Sequence, residues 1–366
     1  MRRTVASTPP CWTALLLSSL LLLLLNRYVY AAVVINTWPF TNATRAAFAV
    51  LCGAPSPPTQ QHLDAITVGC DRCEVEQCDF TVGYGGSPDT NGETTLDAMI
   101  LDGTTMDMGA VAQLRRVKAA IRVARAVLHH SLHSILAGDG ALEFAKMMGF
   151  EESSLETPYS REMHKQWRAN ACQPNYFRNV MPAQNASCPP FKPIDDEVSA
   201  VLPRDMHHRH TQDQRIQDLI TRQNHDTIGM VALSDTGDMA AGTSSNGANH
   251  KIAGRVGDAA IPGAGAYVDS AIGGAAATGD GDVMMRFLPA FHAVQEMAKG
   301  VHPRVACEHA LARVAARYPH FKGGMVCLNR VGEYGGAGHG WDFSFTVQTS
   351  GMEQPQVIHV APISLE

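Results

Sequence analysis

The stretch NHDTIGMV, residues 224–231, marks the border between two different parts of the chain. A polar, turn-rich tract ends at Asp226, and an apolar, β-branched run begins at Thr227. Threonine is common in strands, so the simplest interpretation makes Thr227 an ordinary strand residue. The alternative is a cut before Thr227. A threonine at a new N-terminus has its own α-amino group, which can act as general base for its hydroxyl.

Composition limits the class of protein. The chain has 366 residues, of which 45% are hydrophobic and 17% charged, as expected for one large globular domain or two smaller ones. The formal net charge is only −6, and no basic patch indicates a nucleic-acid partner.

The N-terminus has the features of a secretory signal peptide. Two arginines precede a leucine-rich apolar run, residues 14–25, and small residues follow it. Such a run rises only about 18 Å as a helix, too short to cross a bilayer. We therefore predict that residues 1–31 are removed and that the protein enters the secretory pathway without a membrane partner. Glycosylation acceptor sequences at Asn42 and Asn185 agree with that route.

The nine cysteines become informative in an oxidising compartment. One lies in the leader, and the others suggest three local disulfides: Cys73 with Cys78, Cys172 with Cys188, and Cys307 with Cys327. Cys52 and Cys70 remain, and we expect both to be buried thiols. A zinc site built from Cys70, Cys73 and Cys78 is the alternative.

Hydrophobic periodicity predicts alternating strands and helices. Strands are predicted at 32–36, 228–233, 239–244, 324–331 and 343–347. Helices are predicted at 44–51, 60–66, 111–137, 282–299 and 307–317. Residues 151–225 lack periodicity and are predicted to form a long loop. The two strands after Thr227 form a hairpin, and the whole pattern indicates stacked layers of helix and sheet.

Two charged residues in GRVGDAAIPGAGAY suit a zwitterionic ligand. Arg255 can bind an α-carboxylate through a two-pronged contact, and Asp258 can bind an α-ammonium. The alternative is an ordinary surface salt bridge between them.

The segment ATGDGD combines a hydroxyl with two glycines. Thr278, Gly279 and Gly281 would form a glycine turn ahead of a helix, whose backbone N–H groups can stabilise an oxyanion. The alternative is a plain helix start, capped by Asp280 or Asp282.

Residues 225–299, which contain all three of these segments, resemble the glycosylasparaginase (aspartylglucosaminidase) family of N-terminal nucleophile hydrolases. The resemblance continues upstream in INTWPFTNAT and GYGGSPDTNGETTLDAMILDGTTMDMGAVA, and is weakest at 151–224 and after 331. It implies an α+β fold, a four-layer αββα sandwich. It also implies one domain that cuts itself at Asp226–Thr227. Residues 32–226, with 151–224 as a flexible linker, would form the α-subunit part, and residues 227–366 the β-subunit part.

The resemblance also implies an activity. The family hydrolyses the amide bond between N-acetylglucosamine and asparagine in free glycosylasparagine. Its enzymes use no cofactor or metal, assemble as heterotetramers of two α and two β chains, and act in lysosomes.

Site roles follow position by position from the resemblance. Thr227 would be the nucleophile, and Ser245, where the family usually has threonine, would hydrogen-bond to it. The other implied residues are Arg255 and Asp258 for the amino-acid end, Thr278 and Gly279 for the oxyanion, Gly281 and Trp38 in the substrate pocket, and Thr81 where serine is expected.

The chain also departs from the family. It has no cysteine after Cys327, and its ending EYGGAGHGWDFSFTV diverges. Three residues of that ending would still line the pocket: Tyr334, Gly335 and Gly336.

Two alternative functions remain open. An enzyme with the same fold and nucleophile could act on plain asparagine or on isoaspartyl peptides. A secreted binding protein that never matures would explain the signal peptide and the disulfides. The histidines of DMHHRH (His207, His208 and His210) could bind a metal, but we expect a solvated loop there.

Overall fold

A computed structural model of the chain describes residues 31–53, 60–183, 187–194 and 227–364. The predicted signal peptide lies outside these residues, apart from its last position. Three further expectations also lie outside them: the cut at Asp226, glycosylation of Asn185, and the loop containing His207, His208 and His210.

Fourteen strands and eight α-helices make up the described part of the chain. The strands are β1 Val33–Thr37, β2 Leu96–Asp102, β3 Met108–Leu114, β4 Ile135–Ala137, β5 Val180–Met181, β6 Lys192–Pro193, β7 Ile228–Leu233, β8 Met239–Ser245, β9 Ala266–Asp269, β10 Gly273–Gly279, β11 Gly323–Asn329, β12 Tyr334–His339, β13 Phe343–Thr349 and β14 Gln356–Val360. The helices are α1 Thr41–Cys52, α2 Gln61–Glu76, α3 Ala120–His130, α4 Gly138–Met147, α5 Pro158–Ala169, α6 Gly281–Met284, α7 Pro289–Ala298 and α8 Pro303–Ala315.

The elements stack in four layers. Eight strands form one sheet in the order β14-β13-β1-β7-β8-β2-β3-β4, and four form a second in the order β12-β11-β10-β9. Helices α1, α2 and α3 pack on the outer face of the large sheet, while α7 and α8 pack on the small one. The inner faces of the two sheets meet through β7, β8 and β10. This arrangement confirms the predicted α+β fold, a four-layer αββα sandwich.

Strand β7 shows why the sequence after Thr227 is continuously apolar. It lies between β1 and β8 at the middle of the large sheet, with helices on one face and the small sheet on the other. All six of its residues are buried, so no polar face is needed. The small sheet approaches closely, since a Cβ at Gly229 would lie 2.8 Å from the Cβ of Ala276.

Two of the predicted elements are wrong. The single helix at 111–137 is instead the end of β3, then α3, then β4. Gln113 and Arg116 have positive φ angles, 50° and 55°, which end the strand and prevent a continuous helix. The predicted loop at 151–225 contains α5, which begins with a Thr157–Ser160 capping box and a proline in its first turn.

The predicted helix at 282–299 is divided in two. Leu288 has a φ of 51°, and Pro289 starts the next helix, so α6 and α7 are separate. Nine of the fourteen strands in the described residues were not predicted: β2, β3, β4, β5, β6, β9, β10, β12 and β14. Strand β10, with the sequence GGAAATG, is built from residues of low strand propensity and is stabilised by its neighbours β9 and β11.

Three disulfides join the cysteines that the sequence paired: Cys73–Cys78, Cys172–Cys188 and Cys307–Cys327. The disulfide of Cys73 overturns the zinc alternative. Cys70 is a buried thiol, as expected, whereas Cys52 is exposed, so the expectation for Cys52 is wrong. Within the described residues, no helix is long and apolar enough to cross a membrane.

Candidate active site

Thr227 lies immediately before β7 and is 3% exposed. Its carbonyl oxygen accepts a hydrogen bond from the hydroxyl of Thr37 at 2.7 Å. The same Thr37 oxygen accepts from the backbone N–H of Gly229 at 2.9 Å. Thr37 therefore fixes the residue before β7 to the end of β1. Sequence reasoning missed it, although it directly precedes Trp38.

The hydroxyl of Thr278 is hydrogen-bonded to the backbone nitrogen of Thr227. Thr278 Oγ1 accepts from Thr227 N at 3.0 Å and from the indole Nε1 of Trp38 at 3.0 Å. A hydroxyl has two lone pairs and one proton. Because both lone pairs are used, the Thr278 O–H remains to donate to a ligand.

Trp38 is held rigidly beside this hydroxyl. It is 1% exposed and packs edge-on against Trp341 and Phe343, with ring centroids 5.1 and 5.3 Å away. Its φ of 65° is unusual for a non-glycine residue. The surrounding aromatic rings and the bond to Thr278 hold that conformation.

Ser245 lies beside Thr227 because of the strand register. The strands are antiparallel and Ile228 pairs with Ser244, so Thr227, which precedes Ile228, is opposite Ser245, which follows Ser244. Ser245 Oγ accepts from the N–H of Gly247 at 2.9 Å. Thr81 approaches from another loop, and its carbonyl accepts from the N–H of Asn246 at 2.8 Å.

Two buried side chains join that loop to the end of β8. The Asn246 amide donates to the carbonyls of Phe80 and Gly83 at 3.1 and 2.9 Å. Lys251 Nζ donates to the carbonyls of Ser87 and Asn246 at 3.0 and 2.7 Å. Burial lowers the pKa of Lys251 to about 8. Sequence reasoning identified neither residue.

Arg255 pairs with Asp282 rather than with Asp258. Arg255 Nη2 lies 3.0 Å from Asp282 Oδ2, and Nε lies 3.3 Å from the same oxygen. The arginine side chain is 13% exposed. Burial opposes its charge, but the carboxylate of Asp282 outweighs that effect and raises the Arg255 pKa.

Asp258 is 4% exposed, and within the described part of the chain its Oδ2 has no hydrogen-bond partner. Burial raises its pKa to about 7, although the charge of Arg255 opposes this shift. A Cβ at Gly281 would lie 2.4 Å from Asp258 Oδ1, so only glycine fits there. A buried carboxyl oxygen without a partner suits a ligand that brings a donor.

The turn that carries these charges is fixed by a buried carboxylate. Asp97 accepts from the N–H groups of Gln113 at 2.7 Å and Gly257 at 2.8 Å. Gly257 lies between Arg255 and Asp258, so its hydrogen bond to Asp97 fixes the position of the backbone that carries both side chains. Asp97 was missed because nothing in sequence links β2 to this turn.

The segment 278–282 brings the site together. Thr278 contacts Thr227, Gly281 contacts Asp258, and Asp282 contacts Arg255. The predicted glycine turn is wrong in detail, because Thr278 and Gly279 are the last residues of β10. Gly279 still requires glycine, with a φ of 127° and no room for a Cβ beside the carbonyl of Lys322.

Of the expected pocket residues, Tyr334 lies away from Thr278. Tyr334 pairs with Leu328, whereas Thr278 pairs with Gly324, four residues away along β11. Gly335 and Gly336 are nearer, since they pair with Cys327 and Val326, three and two residues from Gly324. Among the described residues, no group of three His, Cys, Asp or Glu side chains is arranged to hold a metal ion.

Comparison with known proteins gives consistent matches. A family model described as asparaginase matches residues 28–357. N(4)-(beta-N-acetylglucosaminyl)-L-asparaginase of Mus musculus is 48% identical over 326 residues, covering 88% of this chain and 89% of the mouse protein. The rat protein of the same name is 51% identical over 304 residues, 83% of each chain. A probable isoaspartyl peptidase/L-asparaginase 3 of Arabidopsis thaliana is 42% identical over 332 residues, 90% of each chain.

Proposed function

We propose, because the chain belongs to the asparaginase family of N-terminal nucleophile hydrolases, that it hydrolyses the amide between N-acetylglucosamine and asparagine in free glycosylasparagine. The names of the mouse and rat relatives, both near 50% identity, support this substrate. The observation that carries the proposal is the contact of Thr227 N with Thr278 Oγ1, together with a half-buried Arg255 and a buried Asp258.

The nucleophile is the hydroxyl of Thr227 after the bond to Asp226 is cut. The free α-amine takes the hydroxyl proton, and the oxygen attacks the side-chain amide carbonyl. The glycosylamine leaves with a proton, and a threonine ester of aspartate remains. Water then hydrolyses the ester and releases aspartate. Ser245, opposite Thr227 in the register, orients the nucleophile.

The oxyanion of the tetrahedral intermediate is stabilised by the end of β10. The oxygen of the Thr278 hydroxyl accepts hydrogen bonds from Thr227 and Trp38. Its O–H therefore donates a hydrogen bond to the oxyanion. The backbone of Gly279 lies next to it and supplies the second donor. Trp38 acts by orienting Thr278 and closing the aspartyl pocket.

The amino-acid end is recognised by charge. Arg255 binds the α-carboxylate, and Asp258 binds the α-ammonium with Oδ2, which has no hydrogen-bond partner among the described residues. Gly281 allows the close approach of the loop to Asp258. An asparagine inside a peptide has neither charge, so the enzyme acts after proteolysis.

Maturation and location follow as parts of the proposal. The Thr227 hydroxyl attacks the carbonyl of Asp226, and the resulting ester is hydrolysed, which leaves chains 32–226 and 227–366. Two copies of each assemble as a heterotetramer. The signal peptide, residues 1–31, and the disulfides support the secretory route, and the relatives' substrate favours the lysosome.

The test is the purified wild type with Thr227→Ala and Thr236→Ala as variants. N-terminal sequencing of the wild type should find a chain that starts at Thr227, and the protein should hydrolyse free glycosylasparagine. Thr227→Ala should stay one chain without activity. Thr236→Ala removes an exposed hydroxyl in the β7–β8 turn and should behave as wild type.

Substrate variants discriminate between the functions. Acetylation of the α-amine or amidation of the α-carboxylate should abolish turnover. Faster turnover of an isoaspartyl dipeptide than of glycosylasparagine would favour the peptidase alternative, for which the Arabidopsis relative is named. A wild type that remains uncut and inactive would instead indicate the non-enzymatic binding protein.

A further inference from the structure

The guanidinium of Arg255 already has a carboxylate partner in the protein. Asp282 Oδ2 accepts from Nη2 at 3.0 Å and Nε at 3.3 Å, and Oδ1 lies 3.4 Å from Nε. These contacts occupy one edge of the guanidinium. Arginine has five N–H donors in a rigid fork. The donors on Nη1 and the second donor on Nη2 face away from Asp282 and form another two-pronged edge.

Two glycines confine the guanidinium from the other side. A Cβ at Gly257 would lie 2.7 Å from Arg255 Nη1, and a Cβ at Gly247 would lie 2.9 Å from the same atom. Both glycines therefore leave the space that Nη1 occupies, and among the described residues the hydrogen bonds to the Nε–Nη2 edge come from Asp282.

We propose that Asp282 is a positioning residue that fixes the guanidinium of Arg255 so that its Nη1–Nη2 edge receives the α-carboxylate of the substrate. This inference rests on the proposed function, in which Arg255 binds that carboxylate. A long arginine side chain loses rotamer freedom when it binds, and a partner that fixes it beforehand improves affinity. Asp282 follows Gly281, so the same segment also fixes Asp258 and Thr278.

The opposite role for Asp282 would be competition with the substrate. Several other charged or titratable groups surround the pair: Asp97, Asp258, Asp280 and Tyr176. Burial raises the pKa of Asp258, and the negative charge of Asp282 raises it further. Removing Asp282 makes the site more positive and more favourable for a carboxylate, so a loss of affinity must come from lost orientation.

The experiment measures binding of L-aspartate, the proposed product, by calorimetry. Asp282→Ala should weaken the Kd for L-aspartate roughly tenfold, the size expected for the loss of one charge-assisted hydrogen bond. Binding of the α-amide of aspartate should not change, because that ligand has lost the α-carboxylate that Arg255 receives and keeps only the side-chain carboxylate. The matched control Asp235→Ala removes an exposed carboxylate in a turn and should leave both Kd values unchanged.

Three results would overturn the proposal. Tighter binding of L-aspartate to Asp282→Ala would show that Asp282 competes for Arg255. Unchanged binding would show that it has no role in recognition. An equal loss for L-aspartate and its α-amide would show general distortion of the site. Failure of the proposed function gives a different result. If L-aspartate binding depends on Asp282 as expected but the wild type does not hydrolyse glycosylasparagine, only the proposed substrate is rejected.

Discussion

Thr278 connects three parts of the site with a single hydroxyl oxygen. It accepts hydrogen bonds from the nitrogen of Thr227 and from the indole of Trp38. Because these bonds use both lone pairs, the hydroxyl hydrogen is left to donate to another group. The side chain is completely buried, so water does not compete for it. A preorganised donor of this kind stabilises charge that develops only in the transition state.

Thr278→Val should therefore lower kcat by about 10²–10³-fold, the loss typical of one oxyanion donor. KM should change little, because the proposed mechanism assigns binding of the amino-acid end to Arg255 and Asp258. Steady-state kinetics on the cleaved protein would measure this. Thr278→Ser keeps the hydroxyl and serves as the control; an equal loss in that variant would contradict the role of the O–H.

Arg255→Lys tests recognition in the same pocket. Lysine keeps the charge but cannot form two parallel contacts or bridge to Asp282 at the same time. KM for glycosylasparagine should rise by an amount equivalent to about 1.5–3 kcal/mol. A normal KM would place the α-carboxylate elsewhere.

The candidate site residues visible in sequence are those with distinctive chemistry in a distinctive setting. Arg255, Asp258 and Thr278 lie in glycine-rich segments, and Thr227 lies at the border between a polar tract and an apolar run. Asp97 was not singled out, and Asp282 was considered only as a helix cap, because their partners are fixed by contacts between distant strands and loops. An acidic residue in a strand or in a first helical turn has many ordinary explanations, and only the three-dimensional contact selects one.

At the level of elements, periodicity was most reliable where one residue pattern dominated. The hairpin of β7 and β8 and the helix α8 follow from their sequences. Strand β10 could not be predicted from its sequence, because Gly and Ala have low strand propensity and tertiary packing overrides that preference. The region 111–137 shows a second cause: two positive φ angles at ordinary residues cannot be read from side-chain type.

The close packing of β7 on β10 gives a prediction at this scale. Gly229→Val should force the two sheets apart beside Thr227, because even a Cβ lies 2.8 Å from that of Ala276. The free energy of unfolding should fall by about 1–3 kcal/mol or more, measured in urea. As a control, Gly140→Ala in α4 has no atom within 4 Å of the new Cβ. It should stabilise the helix by roughly 0.5–1 kcal/mol.

Across the whole molecule, buried carboxyl groups are concentrated near the site and behind it. Burial raises the pKa of Glu74 to about 8, that of Asp258 to about 7 and that of Asp280 to about 6. Glu74 lies behind β8, where its Oε1 accepts from the hydroxyl of Ser244 at 2.6 Å and from the N–H of Ile121 at 2.9 Å. Because their pKa values are raised, these carboxyl groups bind protons more tightly in the folded protein than in the unfolded chain.

This distribution predicts that the ligand-free protein becomes more stable as the pH falls from 8 to 6.5. A carboxyl with a raised pKa gives stability that is complete below its unfolded pKa and is lost as the pH rises through its folded pKa. For Glu74 that interval runs from 4.5 to about 8, and for Asp258 from 3.8 to about 7. Burial lowers the pKa of His250 from 6.5 to about 4, which opposes the trend below pH 6.5. Burial also lowers the pKa of Lys251 from 10.5 to about 8, which opposes the trend near pH 8, so the rise in stability is steepest below that pH.

Thermal unfolding of the uncut Thr227→Ala variant measures the effect without a new α-amine that titrates in the same range. The Tm should rise as the pH is lowered from 8 to 6.5, since Glu74 and then Asp258 take up protons in the folded state. Glu74→Gln in this background should flatten the rise between pH 8 and 7, because the amide stays neutral throughout. Glu353→Gln, at an exposed position, should leave the rise unchanged. If the Tm instead falls over this interval, the buried carboxyl groups are ionised in the folded protein. Their partners would then stabilise the ionised form by more than burial destabilises it.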